Sequence, residues 1–201
     1  MKRGAKRRRH KLAPVARLHE LLAYDPDTGV LTGRVRLANG KSKPGQRAGS
    51  VARSSGGARW AHVKHLKRHV RVDGVLYLEH HVIWAMMKGR WARHEIDHED
   101  TDATNNRWTN LRRATYSQNQ RNRGINDGPR RTNQSGLKWV RTRRDRPRSP
   151  YQAAVCGVYL GSFKTAEAAH QAAAAYARKT QGKFFNPGRR EPVVDRSRSM
   201  S

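Results

Sequence analysis

The chain has 201 residues, a hydrophobic content of 35%, a mean hydropathy of −0.98 and a formal net charge of +28; these values exclude one large apolar core and favour small cores joined by solvated segments. A pI near 11.6 and 31 arginines against 12 lysines point to a phosphate-rich partner, although a GC-rich genome would give the same arginine bias. The single cysteine, Cys156, excludes an intrachain disulfide, no Cys/His set has zinc-finger spacing, and no apolar run approaches the ~18 residues of a membrane span.

Residues 1–11 (MKRGAKRRRHK) read as a disordered basic arm, able to add salt-sensitive phosphate affinity without reading sequence. Apolar residues at helical spacing over 12–24 predict a short amphipathic helix, and DPDTG (25–29) predicts a turn leading into the alternating strand VLTGRVRL. Residues 38–59 are rich in Gly, Ser, Lys and Arg and predict an exposed loop or weak hairpin. WAHVKHL (60–66) and VRVDGVLYLEHHVIW (70–84) come next as strand candidates, the second broken by the Asp73-Gly74 hairpin signal. From about His81 the pattern turns helical and Gly89 is placed to end the helix. A short strand at 95–97, a long polar loop, the strand NLRRAT and a basic helix at 115–123 complete this part. Residues 124–135 read as a linker. In 136–187, LKWVRTRR, YQAAVC and GVYLGSF predict three strands, and residues 165–182 a helix with Thr165 as N-cap and Gly182 as C-cap. Residues 188–201 show no periodicity and read as a disordered tail.

Five of the fifteen carboxylates, Glu95, Asp97, Glu99, Asp100 and Asp102, fall within eight residues of this basic chain. Acid concentrated inside a polycation suggests a place where a metal ion is wanted beside a polyanion. Cutting a phosphodiester bond needs a proton acceptor for the attacking water, charge neutralisation and a stabilised leaving oxygen. A histidine near neutral pH and one divalent ion can supply all three. The plainer reading of Asp97-His98 is a turn-capping pair, and of the asparagines, loop and cap residues. Glu95, Glu99, Asp100 and Asp102 read as solvated loop charges, and one of His80 and His81 is expected to pack against the core.

Taken together, Asp97-His98, Asn106-Arg107, Asn110-Leu111-Arg112 and Asn119 give residues 80–123 a resemblance to HNH endonucleases of the phage and homing type, with a ββα-metal core. The resemblance implies a nuclease domain over 12–123 in which His98 is the general base and Asn110 braces the loop and holds that base. It implies Asp97 and Asn119 as metal ligands. Two oxygen donors favour Mg²⁺ or Mn²⁺ over Zn²⁺. Tyr116 departs from relatives that carry a basic residue shortly before the last asparagine, which leaves Arg112, Arg113 or Arg121 to neutralise the scissile phosphate; Arg107 joins them as a DNA-contact candidate.

Ser135-Gly136, Val140-Arg141, Tyr151-Gln152-Ala153-Ala154-Val155, Leu160-Gly161-Ser162-Phe163, Glu167-Ala168-Ala169 and Gly182-Lys183-Phe184 make residues 136–187 resemble the Apetala-two/ethylene-response-factor (AP-two/ERF) domain. The resemblance implies a three-stranded antiparallel sheet plus one helix, the sheet entering the DNA major groove. Lys138, Arg141, Arg143, Arg144, Arg146, Arg148 and Tyr151 are the contact candidates, with Trp139 and Tyr151 departing from the usual residues. Leu160, Phe163, Ala169 and Tyr176 read as core. The fold class expected for the whole chain is α+β.

The function expected is a cytoplasmic DNA endonuclease, in a bacterial host if phage-encoded, acting on double-stranded DNA with one divalent ion, no membrane and no obligatory protein partner. The second class is a non-cleaving regulator or packaging protein with an idle HNH core. An RNA-binding protein ranks third, because stacking aromatics are sparse.

Overall fold

A computed structural model describes residues 12–36, 43–53, 66–124 and 135–188. The basic arm, the strand expected at 60–66 apart from Leu66, most of the linker and nearly all of the tail lie outside the described residues. The described chain is α+β, with four small sheets and four helices. It divides into two compact units: the described residues up to 53 together with 66–113, and those from 114 onward.

The first unit opens with α1 (Val15–Leu21), shorter than the periodicity suggests. Pro14 precedes its first turn, and Leu22 turns extended (φ −131°, ψ 147°) to begin β1 (Leu22–Asp25), which pairs with β2 (Val30–Gly33). Between these strands Asp25 organises the turn, its carboxylate accepting from Asp27 N at 3.0 Å and Thr28 Oγ1 at 2.6 Å. The Gly/Ser-rich region yields β3 (Ser50–Arg53), which pairs with β4 (Leu66–Val72). Asp73 (φ 45°) and Gly74 (φ 82°) then close the hairpin to β5 (Val75–Leu78), as their sequence predicts.

Helix α2 (Glu79–Lys88) starts two residues before His81 and ends at Gly89, in the left-handed conformation. Its Val82, Ile83, Trp84, Ala85 and Met86 are buried with Leu18, Leu22, Leu31, Val70, Val72, Ile96 and Leu111 in one apolar cluster. That cluster holds β6 (Glu95–His98) and β7 (Leu111–Ala114), which pair with each other.

The second unit begins with α3 (Tyr116–Asn122), capped by the Thr115–Gln118 capping box. The division therefore falls before this helix, whereas the sequence groups it with the strands preceding it. The tie within the second unit is visible in hydrogen bonds: Asn186 Nδ2 donates to Asn122 O and Lys138 Nζ to Arg121 O, each at 2.7 Å. Strands β8 (Val140–Thr142), β9 (Tyr151–Val155) and β10 (Val158–Phe163) form an antiparallel sheet with β9 central. Helix α4 (Ala166–Gln181) lays Ala169, Ala173 and Ala177, all fully buried, against it. A stripe without bulk beyond the β-carbon lets helix and sheet approach closely. Among the described residues no helix is long and apolar enough to cross a membrane.

One glycine lets the β1–β2 turn touch the loop between β6 and β7. Gly29 (φ 73°) ends that turn, and a β-carbon there would lie 2.4 Å from Arg107 N and 2.7 Å from Asn106 C. Trp108 N donates to Pro26 O at 3.0 Å and Arg107 Nε to Asp27 O at 3.0 Å, so the turn is pressed flat against residues 106–108. Gly29→Ala should therefore cost ~2 kcal/mol or more, from left-handed strain and backbone overlap combined. A denaturant midpoint unchanged from wild type would contradict that close approach.

Candidate active site

His98 closes β6 and is 7% exposed. Its Nε2 lies 2.9 Å from Asn106 Oδ1. Burial lowers its pKa below the ordinary imidazole value, while Asn106 and the carboxylates Asp100, Asp97 and Asp102 pull it back. Neutral imidazole, the form a general base requires, is thus favoured. The ring of His80, on α2, meets His98 edge-on at 4.9 Å between centroids. His80 is itself buried, its Nδ1 has no hydrogen-bond partner, and burial holds it well below the usual range, so it packs against His98 as a neutral wall.

Asp97 precedes His98 on the same strand and is 4% exposed. Its Oδ2 accepts from Arg112 Nε at 2.8 Å, and Arg112 NH1 reaches Glu99 Oε1 at 3.3 Å. The guanidinium of Arg112 thus neutralises this corner of the site. Arg112, one of the three arginines left to neutralise the scissile phosphate, is drawn inward by these carboxylate partners.

Asn110 ends a 3-10 turn (Trp108–Asn110) and braces the loop between β6 and β7. Its Oδ1 accepts from Asp100 N at 3.0 Å; its Nδ2 donates to Asp100 Oδ1 at 2.9 Å and Asn105 O at 2.8 Å. The asparagine whose side chain meets His98 Nε2 is Asn106, four residues earlier. Asn106 is 1% exposed and fixed on three sides: Nδ2 donates to Glu79 Oε1 at 3.1 Å, its carbonyl accepts from Tyr24 Oη at 2.8 Å, and Gly29 packs on its backbone.

Behind Asn106 stands Glu79, the first residue of α2 and completely buried. Arg68 of β4 reaches both its oxygens from Nε, at 3.1 and 2.9 Å. Burial pushes the Glu79 carboxyl upward, and the charge of Arg68 and the Asn106 hydrogen bond oppose that. Sequence reasoning passes over Glu79 and Arg68. The signal available is a lone carboxylate in the apolar run of residues 75–86.

The remaining candidates separate by exposure. In the first unit Arg107 and Arg113 are exposed, Arg107 anchored by its bond to Asp27 O. In the second unit Asn119 and Arg121 lie half-buried on α3, and Arg141 is exposed on β8. Arg144, Arg146 and Arg148 are exposed in the β8–β9 loop, Arg143 is paired with Asp145 at 2.8 Å, and Tyr151 packs against the small core. Lys138, expected on the DNA-facing side, is turned inward. Its Nζ donates to Arg121 O and Asn186 O, both at 2.7 Å, and lies 4.6 Å from the Trp139 ring. Burial lowers its pKa to about 8.

Among the described residues no group of three or more His, Cys, Asp and Glu side chains could hold a metal ion. A carboxylate such as Asp97 suits a hard ion that keeps most of its water and takes the rest of its shell from substrate phosphate.

The HNH endonuclease family model matches residues 77–121, a span that includes Glu79, His98, Asn106 and Asn110. No curated protein and no solved structure matches the chain.

Two variants in the second unit separate structural from phosphate-binding cations. Lys138→Ala should lower stability by ~1–3 kcal/mol, by removing a half-buried donor from two carbonyls. It should leave the salt dependence of DNA binding unchanged. Arg141→Ala should do the reverse, reducing the slope of log K against log salt by about 0.9. Thermal unfolding and salt-titrated anisotropy would show the two effects exchanged if the placement is mistaken.

Proposed function

We propose that the chain is an endonuclease that hydrolyses phosphodiester bonds of duplex DNA, with His98 as general base. What carries this reading is the buried His98–Asn106 pair beside the Asp97 carboxylate, inside the segment that matches the HNH family. His98, kept neutral by burial, takes the proton of the attacking water. Arg107 and Arg113, exposed in a chain of charge +28, supply cations for the phosphates on either side of the cut. A divalent ion, Mg²⁺ or Mn²⁺, would supply neutralisation of the scissile phosphate and of the leaving oxygen when bound. Asp97 is the oxygen donor proposed for it, and the resemblance adds Asn119. The sheet of the second unit, with Arg141 outward, fits a DNA tether of the AP-two/ERF type, and tethering raises the local concentration of the cutting module at its site. A phage or homing enzyme working in the cytoplasm is the role these parts suit.

The Asp97–Arg112 ion pair favours a second reading, a DNA-binding protein whose HNH core is idle. A guanidinium already bonded to the carboxylate competes with any cation for it.

Plasmid nicking in Mg²⁺ or Mn²⁺ distinguishes the two. Wild type should convert supercoiled DNA, and His98→Ala should slow that conversion by ~10²-fold or more. Asn119→Ala should raise the metal concentration needed. Equal rates for wild type and His98→Ala would remove His98 from the chemistry. Intact plasmid despite clear gel-shift binding would establish the idle core.

A further inference from the structure

We propose that Glu79 is a positioning residue that fixes, through Asn106, which ring nitrogen of His98 carries the proton. For the activity it would serve, the proposal rests on the endonuclease reading; the tautomer itself does not.

A buried Arg–Glu pair is a costly way to hold a hairpin to a helix. Replacing such a pair by well-packed apolar side chains is commonly neutral or stabilising. The backbone nevertheless closes tightly beside it: a β-carbon at Gly49 would lie 2.3 Å from the backbone oxygen of His69 and 3.3 Å from Glu79 Oε2. What the pair provides that a hydrophobic contact cannot is directionality.

An ionised carboxylate only accepts hydrogen bonds. Arg68, bonded to both oxygens of Glu79, favours that ionised form. The Asn106 amide must therefore turn its NH₂ toward Glu79, at 3.1 Å, and its oxygen toward His98. An amide oxygen accepts and cannot donate, so His98 Nε2 must carry the hydrogen of that 2.9 Å bond. The proton-accepting lone pair is left on Nδ1. With Glu79 ionised against Arg68, each later step follows from donor and acceptor valence.

Asn106 cannot escape the constraint by moving. Tyr24 Oη holds its carbonyl at 2.8 Å, and Gly29 presses on its backbone. The ring of His98 is confined by the edge contact with His80. The one freedom remaining is a half-turn of the Asn106 amide, which Glu79 forbids. With a donor facing Asn106 instead, the amide would reverse, its NH₂ would point at Nε2, and the lone pair would sit on the wrong nitrogen. Tautomer control by a buried carboxylate is worth orders of magnitude where a histidine moves protons.

Glu79→Gln supplies that donor with almost no change of shape. Arg68 claims the new amide oxygen, so the new NH₂ faces Asn106. Side-chain ¹⁵N–¹H correlation spectra of the full chain at pH 8, without DNA, read the tautomer directly. Wild type should show His98 as the Nε2–H form. Glu79→Gln should convert it to Nδ1–H and slow nicking by ~10²-fold with plasmid affinity unchanged. Adding Asn106→Asp to Glu79→Gln should restore Nε2–H, because the introduced carboxylate accepts from both neighbours; a purely structural role for Glu79 predicts no such recovery. A folded Glu79→Gln protein that keeps Nε2–H overturns the proposal. Should that variant not fold, an Nδ1–H signal from wild-type His98 overturns it equally. If the tautomers behave as stated but wild-type protein cuts no DNA, the relay stands and the endonuclease reading falls.

Discussion

The first unit is organised around a charge it has to bury. Glu79 sits at the first position of α2, where the helix dipole favours an anion, and beneath β4, which delivers Arg68 to it. Apolar contacts alone would leave the hairpin free to choose among several packings against the helix. The ion pair admits one, because a misplaced β4 would leave a carboxylate or a guanidinium uncompensated in the interior, at a cost of several kcal/mol. From that fixed point the order runs outward, to Asn106 and then to His98.

The loop between β6 and β7 depends on side chains where a sheet would use its backbone. Asp100 Oδ1 accepts from Asp102 N and from Asn110 Nδ2, and its Oδ2 accepts from Asn105 Nδ2 at 2.6 Å. Asp102 accepts from both N and Oγ1 of Thr104. These bonds answer much of why acid is concentrated here. Asp100 and Asp102 satisfy loop donors that no ladder reaches, and Asp97 and Glu99 pair with Arg112. The acidic cluster is first a folding device for a loop that must hold two asparagines at different angles.

Local chemistry is legible in the sequence. Asp73-Gly74, Thr115 and Gly89 each announce themselves, since a turn, a cap or a stop is written within a few residues. The motifs that carry the resemblance to HNH endonucleases are written just as locally, and the HNH endonuclease family model matches residues 77–121. Spacing cannot decide which asparagine faces the histidine. Asn106 and Asn110 both lie in polar loop sequence, and the choice is made by Tyr24, 82 residues before Asn106, and Glu79, 27 residues before it. Arg68 lies 11 residues from Glu79 across a hairpin and reads in sequence as one more arginine among many. Long-range partners of this kind leave no periodic trace. Strand β3 is only half legible for a related reason: its Gly/Ser-rich setting leaves loop and weak hairpin both open, and pairing with β4 decides for a strand.

The second unit shows the same rule acting on a cation. Lys138 has the chemistry of a DNA contact but sits half-buried among partners of its own unit. Two carbonyls, from Arg121 and Asn186, and the face of Trp139 take up its charge. Trp139 adopts φ 65°, an uncommon conformation for a bulky residue, and stacks at 6.0 Å on Phe185 and 6.1 Å on His170. That backbone twist lies between Lys138, turned inward, and Val140, which enters the small core. A core built mainly of alanine on its helical side buries little area per residue, so it gains from polar ties. Of the basic residues around β8, the ones without such ties, Arg141 first among them, are those whose charge is available to a polyanion.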